Sequence, residues 1–420
     1  MGRTGRAMVS AALLLALPLA ASPFDDDFDI DAEILERRLH AAHGSDRAPG
    51  VHHEARLRVA HLDSGRQWRG GQAQVAMLID GLARHGVESL LLAPEAPLLE
   101  HARARIACGS WSPRGDWDLL ALARAARWLS MLRPDVVHCH DGRSHALGVA
   151  AARWAGVPVV VVSRRVTFAV RSNPLSALKY RMGVDRYLCV SQAVADGLRN
   201  AGVPGCRIAI VPDAVDVHVA PSVELRAALG LAEDTPLVGT VAALTPEKGH
   251  ADLLEAAARV VRAAPDTHFV WMGEGRCRPA LERQRAALGL DAHVHLLGHR
   301  ADAQSLLAQC TLCALASRDE GLGTSLIEAQ ALGVPVVATA AGGTCELIQD
   351  AGNGRLVPVG DARAMAEAVL EALARPDLRR CWSAAGIRAA SAFSVERMTE
   401  RTLAEYAAVL SARSGAVNRS

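Results

Sequence analysis

From Arg56 to Val357 the sequence alternates short β-branched runs with stretches of helical period. That alternation constrains the fold more than any other feature, because successive parallel strands need a crossover between them and a helix is its usual form. In the first half the spacing predicts strands at Leu57 to Leu62, Val87 to Leu92, Asp135 to His140, Val157 to Ser163, Tyr187 to Val190 and Ile208 to Val211. Helices are expected between them at Gln72 to His85, Leu119 to Leu132, His145 to Trp154 and Gln192 to Ala201. A polar passage from Asp216 to Asp234 follows, and the alternation restarts at Leu237. Strands are expected there at Leu237 to Val241, His268 to Met272, Val294 to Leu297, Thr311 to Leu315, Val334 to Ala338 and Gly354 to Val357. The fold class is therefore α/β, with two doubly wound Rossmann-like domains facing across a cleft. Their expected bounds are 56–220 and 221–393, with an amphipathic stretch from Val395 to Leu410 in a segment 394–420 that packs back on the first domain. A length of 420 residues suits two such cores.

A formal net charge of +1 gives no global field for nucleic acid, and no nucleic-acid signature is present. The nine cysteines include one close pair, Cys310 and Cys313, inside an apolar run, and a zinc knuckle would need a second pair. Reduced thiols in a cytoplasmic protein are the expectation. The first residues point the other way. Arg3 and Arg6 precede an apolar run from Ala7 to Ala21 that is shaped like a signal peptide, and Asp25 to Asp27 open a stretch without periodicity up to about residue 55. The preferred reading of this segment is a peripheral inner-membrane anchor or an over-extended start of the reading frame.

The strongest chemical signal is Glu320-Gly321-Leu322-Gly323-Thr324-Ser325-Leu326-Ile327-Glu328, after one predicted strand and opening a helix. The glycines permit a tight turn beside a ligand, and the amides of Thr324 and Ser325 suit a diphosphate at a helix start. Ser325 to Glu328 also has the form of a capping box, which would occupy Glu328 structurally. A second signal, Val241 to Gly249, places Lys248 at a strand-to-helix turn, where an ammonium suits a phosphate. A third, Asp135-Val136-Val137-His138-Cys139-His140-Asp141, runs a strand into polar residues, with His138 and His140 on one side of it. A fourth is the glycine-rich Gly65 to Gln72; its spacing is not that of a dinucleotide fingerprint.

Together these segments resemble retaining GT-B glycosyltransferases of family 4. Glu320 and Glu328 look like that family's E-x7-E motif, and the resemblance implies donor hexose for Glu320 and nucleotide ribose for Glu328. Val241 to Gly249 resembles its G-R-L-x-x-x-K-G segment, with Ala243 where the family often has a phosphate-binding arginine. Asp135 to His140 is similar to its D-V-V-H-x-H strand, implying a catalytic part for His140. Gly70 and Gly71 correspond to its Gly-Gly loop, and Gly298-His299-Arg300 to the region that reads the nucleobase. Val190-Ser191, Val211 to Asp216 and Gly273 to Gly275 agree in order. The implied donor site holds Gly70, Gly71, Lys248, Gly298, His299, Arg300, Gly321, Leu322, Gly323, Thr324, Ser325 and Glu328, beside the catalytic pair His140 and Glu320.

Arg164, Arg165 and Arg171, with Phe168, Lys179, Tyr180 and Arg181, concentrate cations where such proteins bind acceptor, or form a solvated surface. The implied activity is transfer of a hexose or related sugar from a UDP, GDP or ADP sugar to a glycan or lipid-linked acceptor in lipopolysaccharide or polysaccharide assembly. No cofactor and no metal are expected, since Lys248 and a helix dipole can balance the diphosphate. A non-hydrolysing nucleotide-sugar epimerase and a non-catalytic glycan-binding relative remain alternatives.

Overall fold

The computed structural model describes residues 56–167, 179–180, 183–219 and 223–417, with side chains as far as Arg413. The signal-like run, Phe168, Arg171 and Arg181 lie outside the described residues. Among those described, no helix is long and apolar enough to cross a membrane.

Seven strands form the first sheet: β1 (Arg58–Leu62), β2 (Glu88–Ala93), β3 (Ala107–Ser110), β4 (Val136–Cys139), β5 (Val159–Arg164), β6 (Arg186–Cys189) and β7 (Ile208–Ile210). Their order is β3-β2-β1-β4-β5-β6-β7. The second sheet is built from β8 (Leu237–Val241), β9 (His268–Met272), β10 (Val294–Gly298), β11 (Leu312–Leu315), β12 (Val336–Thr339) and β13 (Arg355–Val357). Its order is β10-β9-β8-β11-β12-β13. The recorded strand pairings are parallel in both. Runs such as Val159 to Val162 are buried throughout, as strands covered on both faces must be. Every strand expected from the sequence is present, and β3 is an additional one.

The order of each sheet reverses at one place. In the first, β2 and β4 lie on opposite sides of β1. In the second, β9 and β11 flank β8 in the same way. Ligands of open α/β sheets bind beyond the carboxyl ends of the strands at such switch points. The ends of β1 and β4, and of β8 and β11, are therefore where chemistry is expected.

Helices that bear on these ends are α1 (Gly70–Arg84), α2 (Leu119–Leu132), α3 (Gln192–Asn200), α4 (His250–Ala263), α5 (Thr324–Ala331) and α6 (Val395–Val417). On α1, Val75 and Ile79 pack with Leu91, Leu98 and Leu99. On α4, Leu253, Leu254, Ala257 and Val260 recur at helical spacing and pack with Val238, Phe269 and Trp271. Burying one such large side chain stabilises the fold by about 1.5–3 kcal/mol. Near the start of β6, Arg413 of α6 pairs with Asp185 at 2.5 Å, and Glu405 pairs with Arg186 at 3.0 Å.

The chain divides into two compact units. One ends at Val162 and also takes in Gly183–Asp185 and the residues from Val409; the other holds Ser163–Met182 and Arg186–Ala408. The first carries the switch point of β1 and β4, and the second that of β8 and β11.

Candidate functional site

In the first unit, three histidines converge at the ends of β1 and β4. His61 and His138 are direct partners in the strand register, and His140 follows the last residue of β4. His61 Nδ1 lies 2.9 Å from His140 Nε2, and the rings of His138 and His140 are 4.1 Å apart. All three are buried. Burial pushes the His61 ring down to about 3, so it is neutral at physiological pH, and the proton between it and His140 is held by one ring and accepted by the other. The backbone amide of His140 donates to Leu62 O at 3.0 Å, extending the ladder one residue beyond the strand. Asp141 then ties two loops together: its carboxylate accepts from the amide of Ser64, from Ser64 Oγ at 2.8 Å and from the amide of Arg143 at 2.8 Å. Asp63 accepts from the Gly65 amide at 2.7 Å and from Gln72 Nε2 at 3.0 Å. The glycine-rich loop is thus pinned at both ends, while Gly70 and Gly71 open α1 with clear space around them.

Ring nitrogens of His61, His138 and His140 lie within 4.8 Å of one another, and among the described residues this is the group of side chains that could hold a metal ion. Two imidazole nitrogens on one tetrahedral zinc ion, each about 2.0–2.1 Å from it, stand about 3.3 Å apart. The 2.9 Å contact is closer than that and has the length of a hydrogen bond.

In the second unit, a 3₁₀ turn at Pro246–Lys248 follows β8, and Gly249 ends it at φ +63°. A Cβ on Gly249 would fall 1.9 Å from the carbonyl oxygen of Ala316, so only glycine lets this turn sit against the end of β11. The closeness brings Lys248 to Glu320: Nζ lies 2.6 Å from Oε2, with the two side chains 24% and 10% exposed. Ser317 Oγ donates to the same oxygen at 2.9 Å. The amides of Thr324 and Ser325 open α5, whose preceding residue Gly323 is left-handed at φ +95°. At a helix start such amides have no carbonyl a turn behind them.

The capping-box reading of Ser325 and Glu328 does not hold. The residue before the helix is Gly323, which makes Ser325 the second residue inside it, and no side chain caps this end. Instead Glu328 accepts from Gln304 Nε2 at 3.3 Å, and burial raises its carboxyl above the usual range. Gln304 also accepts from the amide of His218 at 3.0 Å and donates to Asp216 O at 3.2 Å.

Residues beyond β5 and β6 hold the Glu320 loop. A Cβ on Gly321 would fall 2.0 Å from the carbonyl of Arg165. Ser191 caps α3 by accepting from the amide of Val194, and its Oγ donates to Gly321 O at 2.6 Å. Leu322 is buried in the same turn. Glu346 accepts from the amides of Gln192 and Ala193 at 2.8 and 2.9 Å.

The other expected positions stand as follows. Arg165 Nε pairs with Asp213 at 2.9 Å, and Arg164 donates to Tyr180 Oη at 2.6 Å, so both guanidinium groups are engaged within the fold. Arg171 is outside the described residues. Gly298 ends β10 at φ +74°, His299 is exposed, and Arg300 forms a two-pronged pair with Asp302 at 2.7 Å. His61, Asp63, Ser317 and Gln304 carry connections that no sequence motif singled out. Their signal was position alone: His61 matches His138 in strand register, and Ser317 stands three residues before Glu320.

Two parallel sheets, each wound both ways about a switch point, make a pair of Rossmann-like domains, the GT-B architecture. The chain belongs to the glycosyltransferases of group 1 and family 4: residues 222–389 match the family described as Glycosyl transferases group 1, and residues 68–219 match Glycosyltransferase Family 4. A phosphatidyl-myo-inositol mannosyltransferase of Mycobacterium leprae is 28% identical over 81% of this chain and 93% of its own. A GDP-mannose-dependent monoacylated alpha-(1-6)-phosphatidylinositol monomannoside mannosyltransferase of Corynebacterium glutamicum is 30% identical over 57% of this chain and 68% of its own. The crystal structure of Anabaena HepE in complex with UDP-glucose matches with a TM-score of 0.74 at 21% identity, covering 85% of this chain and 100% of that one. That likeness is one of fold.

Proposed function

We propose that this glycosyltransferase moves a hexose or related sugar, with retention, from a nucleotide sugar to a glycan or lipid-linked acceptor in lipopolysaccharide or polysaccharide assembly. The observation that carries the donor part is the joining of Lys248 and Glu320 at the β8 and β11 switch point. In the reading, Lys248 and the amides of Thr324 and Ser325 take the diphosphate, Glu320 the sugar and Glu328 the ribose. The backbone of Gly298, His299 and Arg300 takes the base. Residues 221–393 form the donor domain and residues 56–220 the acceptor domain, where His140 assists the transfer. The enzyme works from the cytoplasm, peripherally at the inner membrane.

In the transfer, the acceptor hydroxyl oxygen bonds to the anomeric carbon as the bond to the diphosphate breaks on the same face. The hydroxyl proton passes to the departing phosphate oxygen, so no protein base is needed. Lys248 and the helix start stabilise the charge that grows on the leaving group. The diphosphate is balanced by these groups, and binding is expected to survive a chelator.

The test is to incubate the protein with UDP, GDP and ADP sugars, with and without lipid-linked and glycan acceptors, in the presence and absence of chelator. Release of nucleoside diphosphate only with acceptor, and a product whose anomeric proton coupling matches the donor, support retaining transfer. A new nucleotide sugar formed without acceptor would assign an epimerase instead.

A further inference from the structure

One buried polar side chain of the first unit stands where its sheet asks for an apolar one. His61 interrupts the run Val59, Ala60 and Leu62 of β1 and, like them, is 0% exposed. A buried imidazole gives up hydration that an apolar residue would never have had, and hydrogen bonds at both ring nitrogens are the usual compensation. His61 has one of the two. Nδ1 lies 2.9 Å from His140 Nε2, whereas Nε2 is buried with no hydrogen-bond partner among the described residues. A ring held on these terms is costly for the fold, and what it acts on is His140.

Topology brings the two rings together. His61 and His138 are register partners across β1 and β4, His140 follows two positions on, and the His140 amide donates to Leu62 O at 3.0 Å. The His140 ring packs on that of His138, with 4.1 Å between centroids. The hydrogen bond to His61 then decides where the His140 proton sits. Burial keeps His61 neutral, so its ring carries one proton. Were His140 the donor, His61 would accept at Nδ1 and hold that proton on Nε2, as a buried N–H without an acceptor. This costs more than a buried lone pair without a donor, and His61 is too deep for a ligand to supply the acceptor. With His61 donating from Nδ1, its Nε2 keeps only a lone pair. His140, accepting at Nε2, is then neutral and carries its own proton on Nδ1. His140 lies beyond the last residue of β4, at the strand ends where ligands of such sheets bind, so a bound sugar can supply the acceptor that His61 could never receive.

We propose that His61 is a positioning residue for the transfer: its Nδ1–H donates to His140 Nε2, which fixes the His140 ring and holds the His140 proton on Nδ1, to be offered as a hydrogen bond to the sugar. The consequence for transfer rests on the part given to His140 above. The tautomer does not.

The experiment uses the full chain with ¹⁵N-labelled histidine and reads the ring nitrogens by long-range proton–nitrogen NMR at neutral pH, the resonances being assigned from single variants. Wild-type protein should show His61 and His140 each protonated at Nδ1 and bare at Nε2. His61→Phe keeps an aromatic ring and removes the donor, and should move the His140 proton toward Nε2. In the acceptor-dependent assay the same variant should lower kcat by about tenfold, the loss expected of one buried hydrogen bond, with nucleoside diphosphate affinity within about twofold of wild type. His61→Asn places an amide N–H near the position of Nδ1 and should restore kcat to within about threefold of wild type, together with the Nδ1–H form of His140. A merely structural role for His61 would lower the melting temperature without moving the His140 tautomer.

A wild-type His140 protonated at Nε2 would overturn the inference, as would a His61→Phe variant whose His140 tautomer and kcat both match wild type. Histidine resonances that shift when a chelator is added would overturn it too, by giving the cluster to a metal ion. His140→Gln with undiminished kcat would overturn the consequence for transfer and the reading of His140 above it, an outcome kept apart from the first because the tautomer is measured without turnover.

Discussion

Lys248 Nζ lies 2.6 Å from Glu320 Oε2, so the cation assigned to the diphosphate and the carboxylate assigned to the sugar are joined directly. Each orders the other, and Ser317 Oγ donates to the same Glu320 oxygen. An ion pair this little exposed is costly to break from one side, because the remaining charge keeps its desolvation without its partner.

The first expected outcome concerns the cation. Lys248→Ala should weaken nucleoside diphosphate binding by about 1.5–3 kcal/mol, the range for a charge-assisted contact, or roughly tenfold to a hundredfold in affinity. Calorimetry with the diphosphate reads this directly. Unchanged affinity would remove Lys248 from the donor site.

Ser317 offers a finer probe. Its hydroxyl donates to Glu320 and touches no proposed position of the nucleotide, so Ser317→Ala should lower kcat by about five- to tenfold, as losing one hydrogen bond to a carboxylate of about 1 kcal/mol or more implies. Affinity for the nucleoside diphosphate should stay within about twofold of wild type. Isothermal titration beside steady-state rates separates the two, and a loss confined to affinity would contradict the assignment.

Acidification should destabilise the fold in a defined window. Burial holds His61 at about 3 and His250 at about 4, against about 6.5 in an unfolded chain. Both folded values lie below the unfolded one, so the unfolded chain takes up protons first as pH falls. The stability carried by the neutral rings is whole above about pH 6.5 and is lost progressively below it, toward pH 4. Glu328 is raised by burial and works in the opposite sense, its contribution being lost as pH rises. Calorimetric melting should therefore show a lower Tm at pH 5 than at pH 7, with about 1–2 kcal/mol lost for each of the two rings. His250→Phe, which keeps an aromatic ring edge-on to Trp271, should flatten the dependence.

Much of this architecture is legible in the sequence because parallel strands buried on both faces leave unmistakable β-branched runs, such as Val159 to Val162. β3 escapes that reading: Ala-Cys-Gly-Ser contains no β-branched residue, and it becomes a strand by pairing with β2 at the sheet edge. The candidate site was partly readable for a similar reason. Lys248, Glu320 and His140 follow strands, and strand ends can be located from pattern. Their partners cannot, because which strands become neighbours is a matter of topology: His61 meets His140 only because β1 and β4 lie side by side. Gln304 reaches Glu328 across 24 positions with nothing in its neighbourhood to mark it. The S-x-x-E pattern misleads because left-handed Gly323 starts α5 before Ser325 can act as its cap.

With capping excluded, the two glutamates can be separated by what each is expected to touch. Glu320 is held by Lys248 and Ser317 and is assigned the hexose, whose position governs the chemical step. Glu320→Gln should lower kcat strongly while nucleoside diphosphate affinity stays nearly intact. Glu328 is assigned the ribose, which donor and product share, and its carboxylate accepts from Gln304. Glu328→Gln should weaken binding of donor and diphosphate alike by about 1–3 kcal/mol, raising KM more than it lowers kcat. Gln304→Ala supplies the internal control. It removes the hydrogen bond that ties the Glu328 carboxylate to the Asp216–His218 segment while leaving the carboxylate in place, and should reproduce part of the KM effect with kcat unchanged. Because the Glu328 carboxyl is buried and raised, the glutamine variant removes no buried charge at the lower end of the pH range, so its Tm should stay close to wild type there. The decisive measurements are kcat, KM and diphosphate affinity for all three variants beside their melting temperatures. Equal kinetic defects in Glu320→Gln and Glu328→Gln would overturn the division of sugar and ribose between them.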